Sequence, residues 1–373
     1  MSILRNAIFA RMLRNIICIL FSILLSLADV CAQKIALEKY DLHRKDGVVV
    51  FDKHGEARII EALGKLKKRS LSVVCDTMRI KGADAHDYMS VAPYWFDNGE
   101  GVWERRDGER NPDVARWEDK KVLSRMVSDV SLLALAERLY TQKGNEREAA
   151  VAAQRMSEIL KTWFVDEGTR MNPNMKYAQF IPGKGREGKV RGSGLIELRG
   201  MMDVVESVEM VAGDGRMDER LLSDLSLWFG EMVEWMVNSP QGKKERSAKN
   251  NHGTWYAAQI LMYSHFCGRA DLVAQMQSEL KSRLVDQISE GGEQKYEMER
   301  TKSLSYCCFN ILAYEYCKDA LAKEGVDVTQ WNEWRRLETA KNVVRPYAEN
   351  GGVGWGAQQI KPFEQKEWRM IDR

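Results

Sequence analysis

Lys249-Asn250-Asn251-His252-Gly253-Thr254-Trp255-Tyr256-Ala257-Ala258-Gln259 leads straight into the apolar run Ile260-Leu261-Met262. An Asn ahead of such a run signals a helix start, because its side chain accepts a backbone N–H that the first turn leaves unpaired. One Asn suffices for that. Two, followed by one of only five His residues in the chain, point to a polar group presented at a helix mouth.

Outward from this helix, apolar residues recur at three- and four-residue steps. The segments are 122–140, 147–164, 195–212, 218–237, 254–267, 272–288, 303–321 and 329–344. Short polar or Gly-containing breaks separate them, as at Gly144-Asn145, Gly213-Asp214-Gly215 and Gly268-Arg269. The chain reads as all-α, and short turns between successive helices favour antiparallel neighbours in a bundle, solenoid or toroid. Nearer the start the pattern weakens to a short strand at 48–51 and a helix at 59–68. No fixed-period repeat and no Gly/Ser-rich linker occurs, so residues 33–373 are expected to form one domain. After Trp355 an irregular tail is expected in place of a final helix.

Four stretches interrupt the helical pattern. Residues 81–119 hold Tyr88, Tyr94, Trp95, Phe96, Trp103, Arg105, Arg106 and Arg110. Aromatics interleaved with Arg suit an acidic sugar polymer, since rings stack on pyranose faces and guanidinium groups fork carboxylates; packing of the loop over the core would use the same residues. The others are 171–192, 239–251 and 290–301. Loops on a rigid scaffold are where functional side chains concentrate. Within the second, 183–191 is strongly basic, either facing substrate or solvated.

Residues 1–32 read as a secretory signal. Arg5, Arg11 and Arg14 precede an apolar run from Ile16 to Leu27, and Val30-Cys31-Ala32 supplies small residues before Gln33. The run is short for a membrane span, which needs about 20 residues. Cleavage after Ala32 is favoured over lipid attachment at Cys31, and a periplasmic or secreted protein is expected. Without Arg5, Arg11, Arg14 and Asp29, the 56 Lys+Arg and 54 Asp+Glu of the whole chain balance. A neutral total argues against nonspecific nucleic-acid binding but leaves room for a local basic cleft. The five Cys beyond the signal (Cys75, Cys267, Cys307, Cys308, Cys317) show neither disulfide nor zinc spacing and read as buried thiols.

The fourth stretch continues as Arg300-Thr301-Lys302-Ser303-Leu304-Ser305-Tyr306. On a continuous helix six residues turn through about 240°, so Arg300 and Tyr306 share a site only if the helix begins between them. Thr301 or Ser303 would then be the cap.

Asn-Asn-His with its aromatic pair, followed by Arg-Thr-x-Ser-x-x-Tyr, resembles the paired catalytic motifs of the alginate lyase superfamily, polysaccharide lyase family 5 and relatives such as family 38. Asn172-Pro173-Asn174-Met175-Lys176-Tyr177-Ala178-Gln179 with Ile181-Pro182-Gly183 resembles a third family motif, and Asp107-Gly108-Glu109-Arg110-Asn111-Pro112 a fourth. The resemblance runs from about Tyr94 to Tyr314. It implies a single incomplete α/α toroid and β-elimination across C4–C5 of a uronic acid, with no metal or cofactor. An acidic polysaccharide, alginate or a related polyuronate, is the implied partner.

That reaction needs the C5 carboxylate neutralised, a base for the C5 proton and an acid for O4. By the resemblance, Asn251 and Arg300 meet the carboxylate and stabilise the developing charge. Tyr306 is the acid, and Tyr306, whose ionised form Arg300 would favour, or His252 is the base. Gln179, Tyr177, Asn172, Asn250, Tyr94 and Arg106 are the implied substrate contacts. Mannuronate-containing alginate is the expected polymer, with glucuronan as the alternative.

Each residue also has an ordinary reading. His252 can be structural, Asn250 the cap, Tyr306 core and Arg300 a helix-end cation; Trp255 and Tyr256 read as packing, and His265 as structural. Four motifs in family order favour catalysis. Two rivals stand beside it. A glycoside hydrolase on a similar toroid would need a carboxylate pair, for which Glu293, Glu297 and Glu299 offer one member. A noncatalytic uronan-binding protein would keep the groove alone.

Overall fold

The computed structural model describes residues 34–45, 48–66, 82–182 and 191–372. The expected signal with Cys31, Cys75, and 183–190 of the basic stretch lie outside them. The helices are α1 (Lys34–Tyr40), α2 (Lys53–Leu66), α3 (Asp119–Gln142), α4 (Glu146–Phe164), α5 (Met201–Gly213), α6 (Glu219–Asn238), α7 (Pro240–Arg246), α8 (Asn251–Phe266), α9 (Ala270–Gln287), α10 (Lys295–Met298), α11 (Ser303–Lys323), α12 (Trp334–Glu349) and α13 (Lys366–Asp372). The strands are β1 (His43–Lys45), β2 (Val48–Val50), β3 (Met89–Val91), β4 (Trp95–Asp97), β5 (Trp103–Arg105) and β6 (Tyr177–Phe180). A 3-10 segment, Ser193–Gly200, leads into α5.

Burial sorts the long helices into two layers. α8 is buried on nearly every face from Asn251 to Ser264, and α11 likewise from Ser303 to Lys323; a helix apolar all round belongs inside. α4, α6 and α12 bury one stripe each. The inner row runs α3, α5, α8, α11, each packed on the next, with α4, α6, α9 and α12 outside. The two ends of the row are bridged by α1, which packs on α3 and α13, and by α13, which packs on α11. This is the incomplete α/α toroid, all-α as expected.

Inner helices alternate with outer ones, so all the inner N-termini lie at one end of the barrel. The loops that precede them gather there, and so does the chemistry. β3 pairs in parallel with β6 across this end, and β4 and β5 form a hairpin above it. Aromatic packing of Phe164, Trp228, Phe229, Tyr263 and Phe266 fills the wall between α4, α6 and α8.

Three differences from the sequence reading matter. Residues 239–251, expected as loop, hold α7: Ser239 accepts from the Gly242 N–H and Pro240 opens the helix. The tail is not wholly irregular, because α13 seats Trp368 and Ile371 in the core. Finally, neither Thr301 nor Ser303 caps α11; Gln359 Oε1 accepts the N–H of Leu304 at 3.1 Å instead. The described thiols match their expectation, with Cys307, Cys308 and Cys317 buried and Cys267 half-buried.

Candidate active site

α11 begins after Arg300, so the Arg300 and Tyr306 side chains meet. The guanidinium carbon of Arg300 lies over the Tyr306 ring, 3.8 Å from its centre. Tyr306 donates its hydroxyl hydrogen to the Tyr94 hydroxyl at 3.0 Å. Burial pushes the Tyr306 hydroxyl well above its ordinary pKa, and Tyr94 adds to this; the nearby Arg300 charge pulls the other way and loses. The expected pull of Arg300 toward the ionised form is present, and burial outweighs it.

Arg300 is not a free cation. Its Nε and Nη2 donate to Asp107 at 3.1 and 2.8 Å, a two-point grip that leaves the Nη1 edge to face elsewhere. Thr301, rather than capping, donates to Asp107 as well, and Arg105 reaches the same carboxylate at 2.5 Å. Burial works against ionisation of Asp107, but the hydrogen bonds and charge of Arg300, with Arg105, hold it down at about 2. Gly108 makes the approach possible: its φ is +73°, and a Cβ there would stand 2.5 Å from Thr301 Oγ1.

At the start of α8, Asn250 is the cap, accepting the His252 N–H at 3.2 Å. Asn251 is buried, and its backbone N–H and side-chain amide both donate to Glu297, at 2.5 and 2.8 Å. Its Oδ1 is buried with no hydrogen-bond partner. Burial raises Glu297 above the ordinary carboxyl value despite Asn251, Arg300 and His252. His252 is half-buried, and its Nδ1 lies 2.6 Å from Glu245 Oε1. A carboxylate accepts, so a neutral ring in this contact carries its proton on Nδ1 and presents a lone pair at Nε2. Glu245 sits on α7, which reaches this position because Gly242 packs on Met236 O, where a Cβ would come to 1.6 Å.

Gln179 is buried at φ +50°, in the left-handed region that non-Gly residues rarely adopt. It is held there from both sides. Its N–H donates to Ser90 Oγ at 2.8 Å and its amide to Glu197 at 3.2 Å. Strain of this kind persists where surroundings over-determine it, and it clusters at functional sites. The other nominated contacts are occupied within the protein. Asn172 donates to Asp84 and Asp87, Tyr177 to the carbonyl of Gly82, and Arg106 lies over the Phe96 ring at 4.5 Å. Trp255 and Tyr256 are core, and His265 bridges Glu209 and Glu324.

The structure thus assembles Asn251, His252, Arg300, Tyr306 and Tyr94 at one end of the barrel, with Gln179 close by. Sequence alone does not assign three acidic partners: Asp107 and Glu245 carry no signal of their own role, and Glu297 reads only as a hydrolase acid. Asp107 lay within a quoted motif; the Ser239-Pro240 helix start was the signal that could have placed Glu245 on the helix before His252.

A family model described as alginate lyase matches residues 75–355. The chain belongs to the alginate lyase family. As a member it is a polysaccharide lyase, which removes the hydrolase and binding-protein rivals. A crystal structure of an alginate lyase from Bacteroides ovatus is 29% identical with a TM-score of 0.76, covering 84% of this chain and 82% of that one. Alginate lyase A1-III of Sphingomonas species A1, in a substituted form complexed with a tetrasaccharide, is 13% identical with a TM-score of 0.51; 83% of this chain and 81% of that one are covered. The second likeness concerns the fold alone. No curated protein matches the chain. Among the described residues, no helix of this alginate-lyase-family chain is long and apolar enough to cross a membrane.

Proposed function

We propose that this polysaccharide lyase cleaves mannuronate-containing alginate by β-elimination, with Tyr306 as acid and His252 as base. The observation that carries the reading is the His252–Glu245 contact at 2.6 Å, beside a Tyr306 hydroxyl that burial pushes toward its protonated form. Nε2 of His252 takes the C5 proton, the electron pair forms the C4–C5 double bond, the C4–O4 bond breaks, and Tyr306 protonates O4. Arg300 stabilises the charge developing on the C5 carboxylate through its Nη1 edge, and Asn251 orders the helix start beside it. His252 and Tyr306 stand at the mouths of adjacent inner helices, so both can approach one face of a sugar. In mannuronate the C5 hydrogen and O4 share a face; in guluronate they oppose.

A second reading is favoured by the Tyr306–Tyr94 hydrogen bond at 3.0 Å. In it Tyr306 enters as the phenolate, its oxygen accepting from the Tyr94 hydroxyl, takes the C5 proton itself and gives that proton to O4, which suits only sugars with both groups on one face. Absorbance of the unsaturated uronate during incubation with polymannuronate, polyguluronate and glucuronan tests both. Loss of the signal in Tyr306→Phe and in His252→Ala supports the first reading, and survival of His252→Ala on polymannuronate supports the second. No absorbance on any of the three polymers would sink the substrate assignment. The basic start and apolar run of residues 1–32 support export, with 33–373 as the catalytic domain.

A further inference from the structure

Two cations of this end of the barrel are matched by carboxylates, Arg300 by Asp107 and Lys120 by Glu197, and Lys302 lies over the Tyr306 ring. Arg199 is different. It ends the 3-10 segment before α5, and its guanidinium carbon lies 5.4 Å from the Phe309 ring centre and 6.0 Å from that of Trp255. Phe309 and Trp255 follow Tyr306 and His252 by three residues on their helices, hence on the same faces one turn deeper. Arg199 therefore sits directly beneath the reacting groups, at the floor of the barrel mouth.

Its own charge is left over. Among the described residues no carboxylate lies within 4.0 Å of it, and its hydrogen bond goes to the carbonyl of Ile196 at 3.1 Å. The two nearest acids are spoken for. Glu197 accepts from Tyr88 and Ser90 on one oxygen and from Lys120 and Gln179 on the other. Asp203 accepts from Tyr316, and burial pushes it up to about 7. Burial lowers Arg199 from the ordinary arginine value, as expected of a cation whose surroundings under-compensate it. Arg199 also lines a cavity of about 210 Å³ with Glu197, Asp203, Ser131 and Tyr40, so its guanidinium has space beside it.

We propose that Arg199 is a substrate carboxylate-binding residue, taking the acid group of the sugar that penetrates deepest, next to the one that reacts. The inference rests on the uronan reading above. One helical turn separates Arg199 from the reacting layer, about 5.4 Å, which is close to the rise of one pyranose along a chain. A neutral sugar has nothing to offer this residue, so Arg199 selects uronate over neutral polymer at a position remote from the chemistry.

The test is calorimetric titration of a mannuronate tetrasaccharide and its carboxyl-reduced counterpart into Tyr306→Phe and into Tyr306→Phe/Arg199→Gln. Loss of one charged two-point hydrogen bond is expected to weaken tetrasaccharide binding by about 10- to 100-fold. The preference of the parent for the acidic ligand is expected to shrink by a similar factor. Arg199→Lys in the same background, which keeps charge but not the fork, is expected to lose several-fold, and it serves if the Gln variant does not fold. Equal affinities for parent and Arg199 variants, with the parent binding intact, overturn the inference alone. A parent that binds no tetrasaccharide overturns the uronan reading and this inference with it.

Discussion

Arg300 and Asp107 lie 193 positions apart and form a two-point ion pair whose guanidinium sits over the Tyr306 ring. The pair fixes the arginine plane before substrate arrives. A group ordered in advance loses little freedom when the charge it serves appears, which is the basis of electrostatic catalysis.

Asp107→Asn removes that grip and leaves Arg300 buried without its counter-charge. Activity, followed as ultraviolet absorbance, is expected to fall about 10- to 100-fold, in keeping with loss of a partner that orients a reacting group. Stability supplies a second readout. Asp107 is held at about 2 when folded against roughly 3.9 when unfolded. Its depressed value stabilises the fold above the unfolded pKa and is lost as pH falls through the folded one. The wild type should lose stability between about pH 4 and pH 2 more steeply than the variant; parallel acid-melting curves would refute this.

Tyr306→Phe keeps the ring under Arg300 and deletes only the proton. A fall in kcat of about 10²- to 10⁴-fold is expected, the usual contribution of general acid–base groups. Tyr94→Phe removes the hydroxyl that accepts from Tyr306 and should cost only about tenfold if His252 is the base. A loss as large as that of Tyr306→Phe would point to the second reading, in which the Tyr94 hydroxyl supports an ionised Tyr306.

Glu245→Gln leaves His252 in place but without a carboxylate to hold its Nδ1 proton. We expect kcat to drop by about 10- to 100-fold with KM little changed, since positioning of the base and not binding is disturbed. A raised KM at constant kcat would place Glu245 among the substrate contacts instead.

Glu206, inside the barrel, has both carboxylate oxygens buried without a hydrogen-bond partner, and burial raises it to about 8. A folded value above the unfolded one means the group is harmless below about pH 4 and costs stability as pH rises to 8. Glu206→Gln should therefore stabilise the protein by on the order of 1–3 kcal/mol at pH 8 and not at pH 4. Thermal melts at the two pH values check the difference; a variant less stable at both would show that the carboxylate is needed.

The inner helices were legible because burial on all faces leaves long apolar runs, and their starts at Asn250 and after Arg300 were marked by residue type. The partners of the reacting groups were not. Glu245 lies in a stretch whose Lys and Arg content hides a short helix, and its role depends on Gly242 packing against Met236. Asp107 meets Arg300 only because the toroid brings the loop before α3 to the loop before α11. Gln359 caps α11 from a segment that carries no helix signal. Such contacts are set by the closure of the ring, which a local pattern does not encode. The same reason explains why Asn172 and Tyr177, within a family-like motif, prove to bind Asp84, Asp87 and Gly82.

The clasp of Gln359 on the first turn of α11 also sets an order of events during synthesis. Ser303 and Trp355 join it: the Ser303 N–H and hydroxyl both donate to the Gln358 carbonyl, and the Trp355 ring N–H donates to Ser303 Oγ at 2.7 Å. The helix carrying Tyr306 thus gets its final N-terminal geometry from residues made about fifty positions later. A ribosome-bound chain that has already emerged past Tyr306 still lacks the brace for that helix. The geometry of the helix that carries Tyr306 is therefore complete only once residues 355–359 have joined it.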